Sequence, residues 1–418
     1  MYRKTILDNG LRIISEEIEH VRSISIGIWV ECGSRYENEQ SNGTAHFIEH
    51  MLFKGTERRS AFDIAADIDS VGGVMNAFTS KELTSFYIKI PDYHLELAID
   101  LLADIFNNSR FDDEEILKEK SVVLQEISML EDSPDDYIHD FFEANFWRAD
   151  RLGMPVLGTR ERVERFTRDS LRGFFRDRYR GRRVILTAAG HLRHDRFVAL
   201  AGRAFGEMDG EAEPIGFTTP TVSANISVLE KDLEQVHLMI GTLAPSSRSK
   251  RRHAGFLMNA VLGGSMSSRL FQEIREKRGL AYAVHSYITP YMDTGMLAVY
   301  VGTGKEEVPE VLGLILNELM RLTRESLTGR ELQGAKELIK GNFLLSMEST
   351  DNRMTRLAKN EICFGRHVPP EEVTAAIDAV TDGDVLTLAR ELFNPSTISI
   401  SAIGPVSERD LTLHVLNG

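Results

Sequence analysis

The chain has 418 residues, 42% of them apolar and 27% charged, enough for about two to three domains with substantial cores. Its 49 basic and 63 acidic residues give a net charge of −14, which argues against general nucleic-acid binding. No apolar run approaches about eighteen residues, and the start lacks an export signal, so we expect a cytoplasmic protein without a membrane segment. The two cysteines, Cys32 and Cys363, exclude a disulfide framework and a Cys-rich metal site.

The first half alternates strand and helix patterns. Two strands rich in Ile and Val, LRIISEE and SISIGIWVE, precede two helices, GTAHFIEHMLFKGT and AFDIAADIDSV, the second of which stops at Gly72-Gly73. Further strands are predicted at VMNAFT and SFYIKIP. The rest of the half is predicted as the helices LELAIDLLADIF, EEILKEKSVVLQEISML and DDYIHDFFEANFW, a helix near 169–179, the strand RVILTAAG and a helix beginning near His194.

Periodicity disappears around residues 206–221, where Gly, Pro and acidic residues accumulate. The same order of elements recurs after this stretch, and residues 45–56 align with residues 254–265. We therefore predict domains at 1–208 and 223–418, joined by a linker at 209–222. The fold class is α+β, with two homologous sandwich-like units from an internal duplication, each a mixed or antiparallel sheet packed with helices.

The two copies share apolar positions and differ at polar ones. The first copy has two histidines and a glutamate in the aligned helix where the second has none of them. A later helix carries Glu119 and Glu126 where the second copy has Ala335 and Asn342. The scaffold is therefore shared, whereas the polar cluster belongs to the first copy.

His46 and His50 stand four residues apart on a predicted helix, so both imidazoles project from one face. Two neutral imidazoles at this spacing can bind one divalent ion, most often zinc, and Glu49 borders the same face. The pattern is H-x-x-E-H, the reverse of the commoner H-E-x-x-H, and it is a signature of zinc hydrolases. The alternative is an ordinary helix with two hydrogen-bonded histidines.

A catalytic zinc needs a third protein ligand on another element. Glu119 and Glu126 are seven residues apart on one helical stripe that also carries apolar residues. Because burying an unpaired carboxylate costs several kcal/mol, two of them on such a stripe indicate a nearby cation. Alternatively, the stripe twists enough to leave both solvated. Geometry alone does not choose which glutamate binds the metal.

With HFIEH followed by Glu126, the chain resembles the pitrilysin family of inverted zinc peptidases, most closely the mitochondrial processing peptidase β-subunit and its bacterial homologues. The likeness extends through LDNGLRIISEE, GSRYENEQSNGTAHFIEHMLFKGT, GGVMNAFTSKELTSFY, EKSVVLQEI and SSRLFQEIREKRGLAYAVHSY. It implies one Zn²⁺ per chain bound by His46, His50 and Glu126, with Glu49 as the general base. Glu119 then corresponds to a carboxylate that supports the ligands without binding the metal.

The resemblance also implies a substrate-binding apparatus. Asn76 and Ala77 correspond to a segment along which the peptide lies as an added strand. In the second domain, Arg275 and Tyr282 correspond to a pair that contacts the peptide and the developing oxyanion. Phe53 corresponds to the pocket for the residue after the cleaved bond. The alternatives are a turn residue at Asn76, a surface arginine with a core tyrosine, and a core aromatic at Phe53.

Asp136 and Asp140 correspond to acidic residues that hold an arginine upstream of the cut. The alternative is an acidic, solvated helix start. The long glycine-rich loop of the processing peptidase α-subunit is absent and no transit-like segment precedes Met1, so a homodimer is expected rather than half of a heterodimer.

The resulting hypothesis is a zinc-dependent endopeptidase. It hydrolyses unfolded peptides or presequence-like segments inside a chamber formed by two chains, with Glu49 acting on a zinc-bound water. The expected substrate is an extended peptide, and a basic one if the net negative charge faces inward; neither nucleic acid nor a membrane is an expected partner. Two alternatives are a non-catalytic scaffold or binding subunit on the same fold, and a zinc protein whose role is assembly.

Overall fold

A computed structural model describes residues 1–148, 150–210 and 216–411. Residues 211–215 of the predicted linker lie outside the described residues. The strands are β1 (Tyr2–Ile6), β2 (Arg12–Glu17), β3 (Ser23–Val30), β4 (Val74–Thr79), β5 (Thr84–Pro91), β6 (Val184–Gly190), β7 (Ile226–Glu230), β8 (Val236–Leu243), β9 (Ala281–Pro290), β10 (Gly295–Thr303) and β11 (Ser399–Gly404).

The helices of the first half follow the predicted order, with one further helix, α6, that was not predicted. They are α1 (Thr44–Met51), α2 (Ala61–Ser70), α3 (Leu95–Asn108), α4 (Asp113–Glu131), α5 (Pro134–Phe146), α6 (Arg160–Arg165), α7 (Arg168–Arg178) and α8 (His194–Phe205). Those of the second half are α9 (Arg252–Leu262), α10 (Val308–Arg324), α11 (Gly329–Ser346), α12 (Thr350–Phe364), α13 (Pro370–Asp378) and α14 (Asp382–Leu392). Within the described ranges, no helix combines the length and hydropathy needed to cross a bilayer.

The chain forms two compact units, and each contains a segment from the other half of the sequence. The first unit comprises Met1–Met129, Met154–Gly216 and Ser346–His367, and the second comprises Leu130–Gly153, Phe217–Leu345 and Val368–Gly418. Helix α12 therefore belongs to the first unit and α5 to the second. The boundaries 1–208, 209–222 and 223–418, which concern the duplicated sequence halves, stay a prediction.

The first unit is built on a mixed sheet of strand order β1-β2-β6-β3-β5-β4, in which β2 and β6 run parallel. One face carries the larger core, to which α1 and α3 contribute apolar side chains. The other face is covered by α12, whose Met354 and Leu357 pack with Trp29 and Ile185. The indole of Trp29 also donates a 2.8 Å hydrogen bond to the hydroxyl of Thr187, so no polar group of this ring is left unpaired.

The second unit repeats this plan. Its sheet has the order β7-β11-β8-β10-β9, with β7 and β11 parallel. One face packs against α9, α10 and α14, and the other is covered by Ile138, Phe142 and Phe146 of α5. The α9 segment aligned with the α1 segment does form a helix, and α11 likewise corresponds to α4. The predicted fold of two similar units, each a mixed sheet with helices, is confirmed.

Candidate metal centre and its surroundings

Helix α1 begins without a side-chain cap of its own, because its cap residue is Gly43 with φ of 89°. The buried carboxylate of Glu37 takes this role: it accepts hydrogen bonds from the backbone N–H of Gly43 at 2.8 Å and of Ala45 at 2.7 Å. A carboxylate at a helix start satisfies free N–H groups and favours the helix dipole. Burial raises the pKa of Glu37 to about 8, although these hydrogen bonds oppose the rise.

Helices α1 and α4 bring the predicted ligands together. The Nε2 atom of His46 lies 3.7 Å from one carboxylate oxygen of Glu126, and the Nε2 atom of His50 lies 3.6 Å from the other. The centroids of the two imidazole rings are 4.6 Å apart. Among the described residues, His46, His50 and Glu126 form the group of ligand atoms compact enough to share one ion, all within 4.8 Å of one another.

This arrangement fits zinc. Tetrahedral zinc with bonds of about 2.0–2.2 Å places neighbouring ligand atoms about 3.3–3.6 Å apart, close to the observed separations. One oxygen of Glu126, Oε2, is buried and has no hydrogen-bond donor among the described residues, so it is free to bind a cation. Two imidazoles and one carboxylate are also a ligand set that catalytic zinc uses, with a fourth position left for water.

The two histidines are held differently. Burial and the neighbouring His50 lower the pKa of His46 to about 3, and its buried Nδ1 has no hydrogen-bond partner among the described residues. Burial acts in the same direction on His50, but the carboxylates of Glu119, Glu126 and Glu49 outweigh it and raise the pKa of His50. A neutral imidazole is the form that binds metal, and His46 is in this form throughout the physiological range.

Glu119 lies where the resemblance places it, beside a ligand rather than in the ligand set. Its buried carboxylate contacts Nδ1 of His50 at 2.9 Å and forms a 2.5 Å ion pair with Lys54. Burial would raise the pKa of Glu119, but hydrogen bonds from His50 and Lys54 lower it below its ordinary value. With Nδ1 engaged in this way, Nε2 of His50 is the nitrogen turned toward Glu126.

Glu49 lies on α1 between the two histidines and is partly buried. Its Oε2 atom accepts a 2.6 Å hydrogen bond from the hydroxyl of Thr79, the last residue of β4. Burial raises the pKa of Glu49, with the Thr79 hydrogen bond opposing the rise. A carboxylate beside the ligand histidines, with one oxygen held by Thr79, is suited to take up and release a proton.

Asn76 and Ala77 lie in the middle of β4, so the alternative of a turn residue at Asn76 is wrong. Strand β4 is the edge of its sheet and pairs with β5 along one side. The side chain of Asn76 is exposed. An edge strand offers backbone N–H and C=O groups with which an extended peptide can pair.

Phe53 follows α1 and is half-buried. It lines an apolar cavity of about 370 Å³ together with Ile64, Ile68, Val74 and Met75. Its ring also lies 6.3 Å from the buried ring of Phe86. The position of Phe53 is compatible with both interpretations of the sequence, a core aromatic and a pocket residue, since it packs against the core and also forms part of a cavity wall.

The remaining predicted residues belong to the second unit. The guanidinium of Arg275 lies 4.4 Å from the ring centroid of Tyr282, a cation–π contact. Because Tyr282 is 79% exposed, the alternative of a core tyrosine is wrong. Asp136 is exposed and Asp140 half-buried, both in α5. The substrate roles of these four residues stay predictions.

Sequence reasoning missed three residues that hold the centre in place: Glu37, Lys54 and Thr79. Lys54 could have been found, because it follows His50 by four residues and so can approach the same acidic helix. Thr79 had a weaker signal, since it alternates with Ala77 on the predicted strand. Glu37 had none, because the loop that carries it brings it back to the helix start only in three dimensions.

Known proteins are similar to this chain over nearly its whole length. The zinc protease YmxG of Bacillus subtilis is 42% identical over 393 residues, which are 94% of this chain and 96% of that protein. The chain belongs to the insulinase family, peptidase family M16. The family model described as "Insulinase (Peptidase family M16)" matches residues 12–160, and that described as "Peptidase M16 inactive domain" matches residues 165–339. The predicted pitrilysin-family membership is thereby confirmed.

Other M16 relatives and solved structures agree. A zinc protease of Streptomyces coelicolor is 39% identical over 97% of this chain and 90% of its own length. A crystal structure of a protease from Helicobacter pylori has a TM-score of 0.89 at 22% identity and covers 96% of this chain and 99% of that one. A peptidase M16 inactive domain from Pseudomonas fluorescens has a TM-score of 0.91 at 20% identity, covering 97% and 98%. The two crystal structures support the fold.

Proposed function

We propose that this M16 chain, a zinc metallopeptidase, hydrolyses internal peptide bonds at the centre formed by His46, His50 and Glu126. The observation that carries the proposal is the convergence of these three side chains within 4.8 Å of one another, with Glu49 on the same helix. Family membership alone does not identify the residues that act, because the family also includes an inactive domain. The ligand set supports the first unit as the reactive one.

Zinc bound there supplies Lewis acidity toward the scissile carbonyl and the attacking water. Glu49 takes the proton from that water and passes it to the leaving amine, since its second oxygen is not engaged by Thr79. Glu119 fixes the ring of His50, and His46 stays neutral because of its burial. The protein thus contributes a proton carrier and a rigid set of ligands.

The substrate is an extended peptide that pairs with the outer edge of β4 at Asn76 and Ala77, where it replaces the 2.8 Å hydrogen bond that Oδ1 of Asn76 accepts from the N–H of Ala77. The cavity at Phe53 accepts an apolar side chain after the cleaved bond. This mode of binding favours unfolded segments, because a folded protein does not offer a free strand to the edge. Presequence-like segments meet this requirement.

Residues of the second unit also bind the substrate in this proposal. Arg275 and Tyr282 contact the bound peptide and the developing oxyanion; Tyr282 is exposed and Arg275, half-buried, forms a cation–π contact with its ring. Asp136 and Asp140 hold a basic residue upstream of the cut. We further propose that the chain works as a cytoplasmic homodimer enclosing a chamber, with domains 1–208 and 223–418 and one zinc ion per chain.

Glu49→Gln tests this function. We expect the purified parent to contain one zinc per chain and to cleave an extended basic test peptide at an internal bond. The variant should retain zinc and lose cleavage by about 10²–10⁴-fold, the usual contribution of a general base. Zinc content is measured by atomic absorption and cleavage sites by mass spectrometry.

Glu57→Gln is the matched control, because Glu57 is exposed and lies shortly after the same helix. It should cleave at the parental rate. A metal-free parent would refute the zinc centre, and a Glu49→Gln variant that cleaves like the parent would refute the assignment of the base. A zinc-loaded parent that binds the peptide without cleaving it would instead support the scaffold alternative.

A further inference from the structure

The hydroxyl of Thr79, the last residue of β4, lies beside α1, the helix that carries His46, Glu49 and His50 (the active helix). It donates to Oε2 of Glu49 at 2.6 Å and lies 3.4 Å from the hydroxyl of Thr84, its cross-strand partner. The Thr84 hydroxyl donates its own proton to the backbone carbonyl of Cys32 at 2.9 Å. Because an ionised carboxylate only accepts, the proton of Thr79 is directed to Glu49.

The position of this donor is set by the sheet. Thr79 is paired in register with Thr84 on β5, and a β-branched residue in a strand has few side-chain rotamers. Glu49, in contrast, has a long side chain with several rotatable bonds. The hydrogen bond from Thr79 therefore restricts rotation of the Glu49 carboxylate. It engages Oε2 and leaves the other oxygen without a hydrogen bond among the described residues.

We propose that Thr79 is a positioning residue of the peptidase: it holds one oxygen of Glu49 so that the other faces the attacking water. This inference rests on the proposed function, in which Glu49 is the base. It also connects two parts of the site, because β4 is the edge strand proposed to carry the peptide. A substrate that orders this strand would thus act on the strand that orients the base.

The test compares Thr79→Val, which keeps the shape and removes the hydroxyl, with Thr79→Ser, which keeps the hydroxyl. We expect Thr79→Val to lower kcat about ten- to hundredfold, as expected for a misoriented catalytic group, with KM changed by less than about twofold. Thr79→Ser should restore most of the rate. Zinc content should equal that of the parent in both variants. Thr5→Val, on β1 of the same sheet and in contact with His194, is the control.

Each outcome separates this inference from the proposed function. If Glu49→Gln is inactive but Thr79→Val has the parental kcat, the positioning role is refuted and the proposed function stands. If Glu49→Gln cleaves like the parent, the assignment of Glu49 as the base fails and the positioning role of Thr79 fails with it, whereas a metal-free parent would refute the zinc centre itself. A Thr79→Val variant that loses zinc, or whose defect Thr79→Ser does not rescue, would refute positioning in favour of a structural role. Should Thr79→Val not fold, Thr79→Ala is compared with Thr79→Ser in the same way.

Discussion

Side chains at the metal centre either point at the shared ligand position or hold those that do. His46, His50 and Glu126 converge, whereas Glu119 contacts the ligand His50 and Thr79 contacts Glu49, the proposed base. Such supporting contacts fix the ring orientation of a histidine and the direction of a carboxylate. Their loss should therefore weaken metal binding or catalysis without removing a ligand.

Glu119→Gln tests whether the contact between Glu119 and His50 supports metal binding. The substitution removes the charge that faces both His50 and Lys54, so we expect zinc affinity to fall about 10–100-fold. Competition with a chromophoric chelator measures the affinity. Glu114→Gln, an exposed glutamate on the same helix, should bind zinc like the parent. Unchanged affinity in Glu119→Gln would show that the carboxylate of Glu119 does not support His50 as a metal ligand.

Among the elements, the connection between α1 and α2 is fixed by one buried carboxylate on α3. Asp104 accepts hydrogen bonds from Thr56, Arg58 and Arg59 of this connection. Burial would raise the pKa of Asp104, but hydrogen bonds from Asn108, Arg59, Thr56 and Arg58 hold it at about 2. The segment that follows the active helix is thereby tied to the core helix α3.

The lowered pKa of Asp104 makes the free energy of unfolding depend on pH. Because the pKa of Asp104 is lower in the folded chain than its ordinary value of 3.8, its stabilisation is complete above that value and is lost as pH falls toward about 2. Asp104→Asn should lower the free energy of unfolding by on the order of 2 kcal/mol at neutral pH. The variant should also lose less stability than the parent on acidification.

Urea unfolding above and below about pH 4 provides the measurement. Asp69→Asn, which changes an exposed aspartate on α2, should follow the parental pH profile. If Asp104→Asn and the parent lose stability in parallel on acidification, this carboxylate is not what stabilises the connection.

At the scale of the whole molecule, the two compact units have exchanged helices. Helix α5 is encoded in the first half and covers the sheet of the second unit, and α12 is encoded in the second half and covers the sheet of the first. Both helices follow the long helix of their own copy, α4 or α11. The exchange is therefore reciprocal, as expected if both copies keep one ancestral plan.

Leu357→Ala tests the contribution of α12. Leu357 is 3% exposed in the cluster around Trp29, so its truncation should cost about 2–5 kcal/mol in unfolding free energy. Leu345→Ala removes a leucine that is 68% exposed and should cost little. Chemical unfolding followed by circular dichroism measures both. Equal stabilities would show that α12 does not hold the first unit together.

The local elements and the two histidine ligands could be predicted from sequence because each depends on short-range spacing. The four-residue spacing of His46 and His50 fixes their common face on any helix, and period-two patterns mark the strands. The third ligand was less determined: Glu119 and Glu126 share a stripe, and only the resemblance chose between them. In the structure Glu126 lies within reach of both imidazoles, whereas Glu119 contacts Nδ1 of His50.

By itself, the sequence determined the duplicated α+β plan, the restriction of the His and Glu cluster to one copy, and membership of a zinc peptidase family. The plan and the cluster follow from periodicity, motif spacing and the alignment of the two halves, and the family follows from the resemblance of motifs along the chain. Only the tertiary structure decided that α5 and α12 exchange sheets and that Thr79 and Glu37 hold the active helix. An amphipathic pattern indicates that one face of a helix is buried, but it does not indicate which element covers that face. Contacts between distant segments depend on how the whole chain packs.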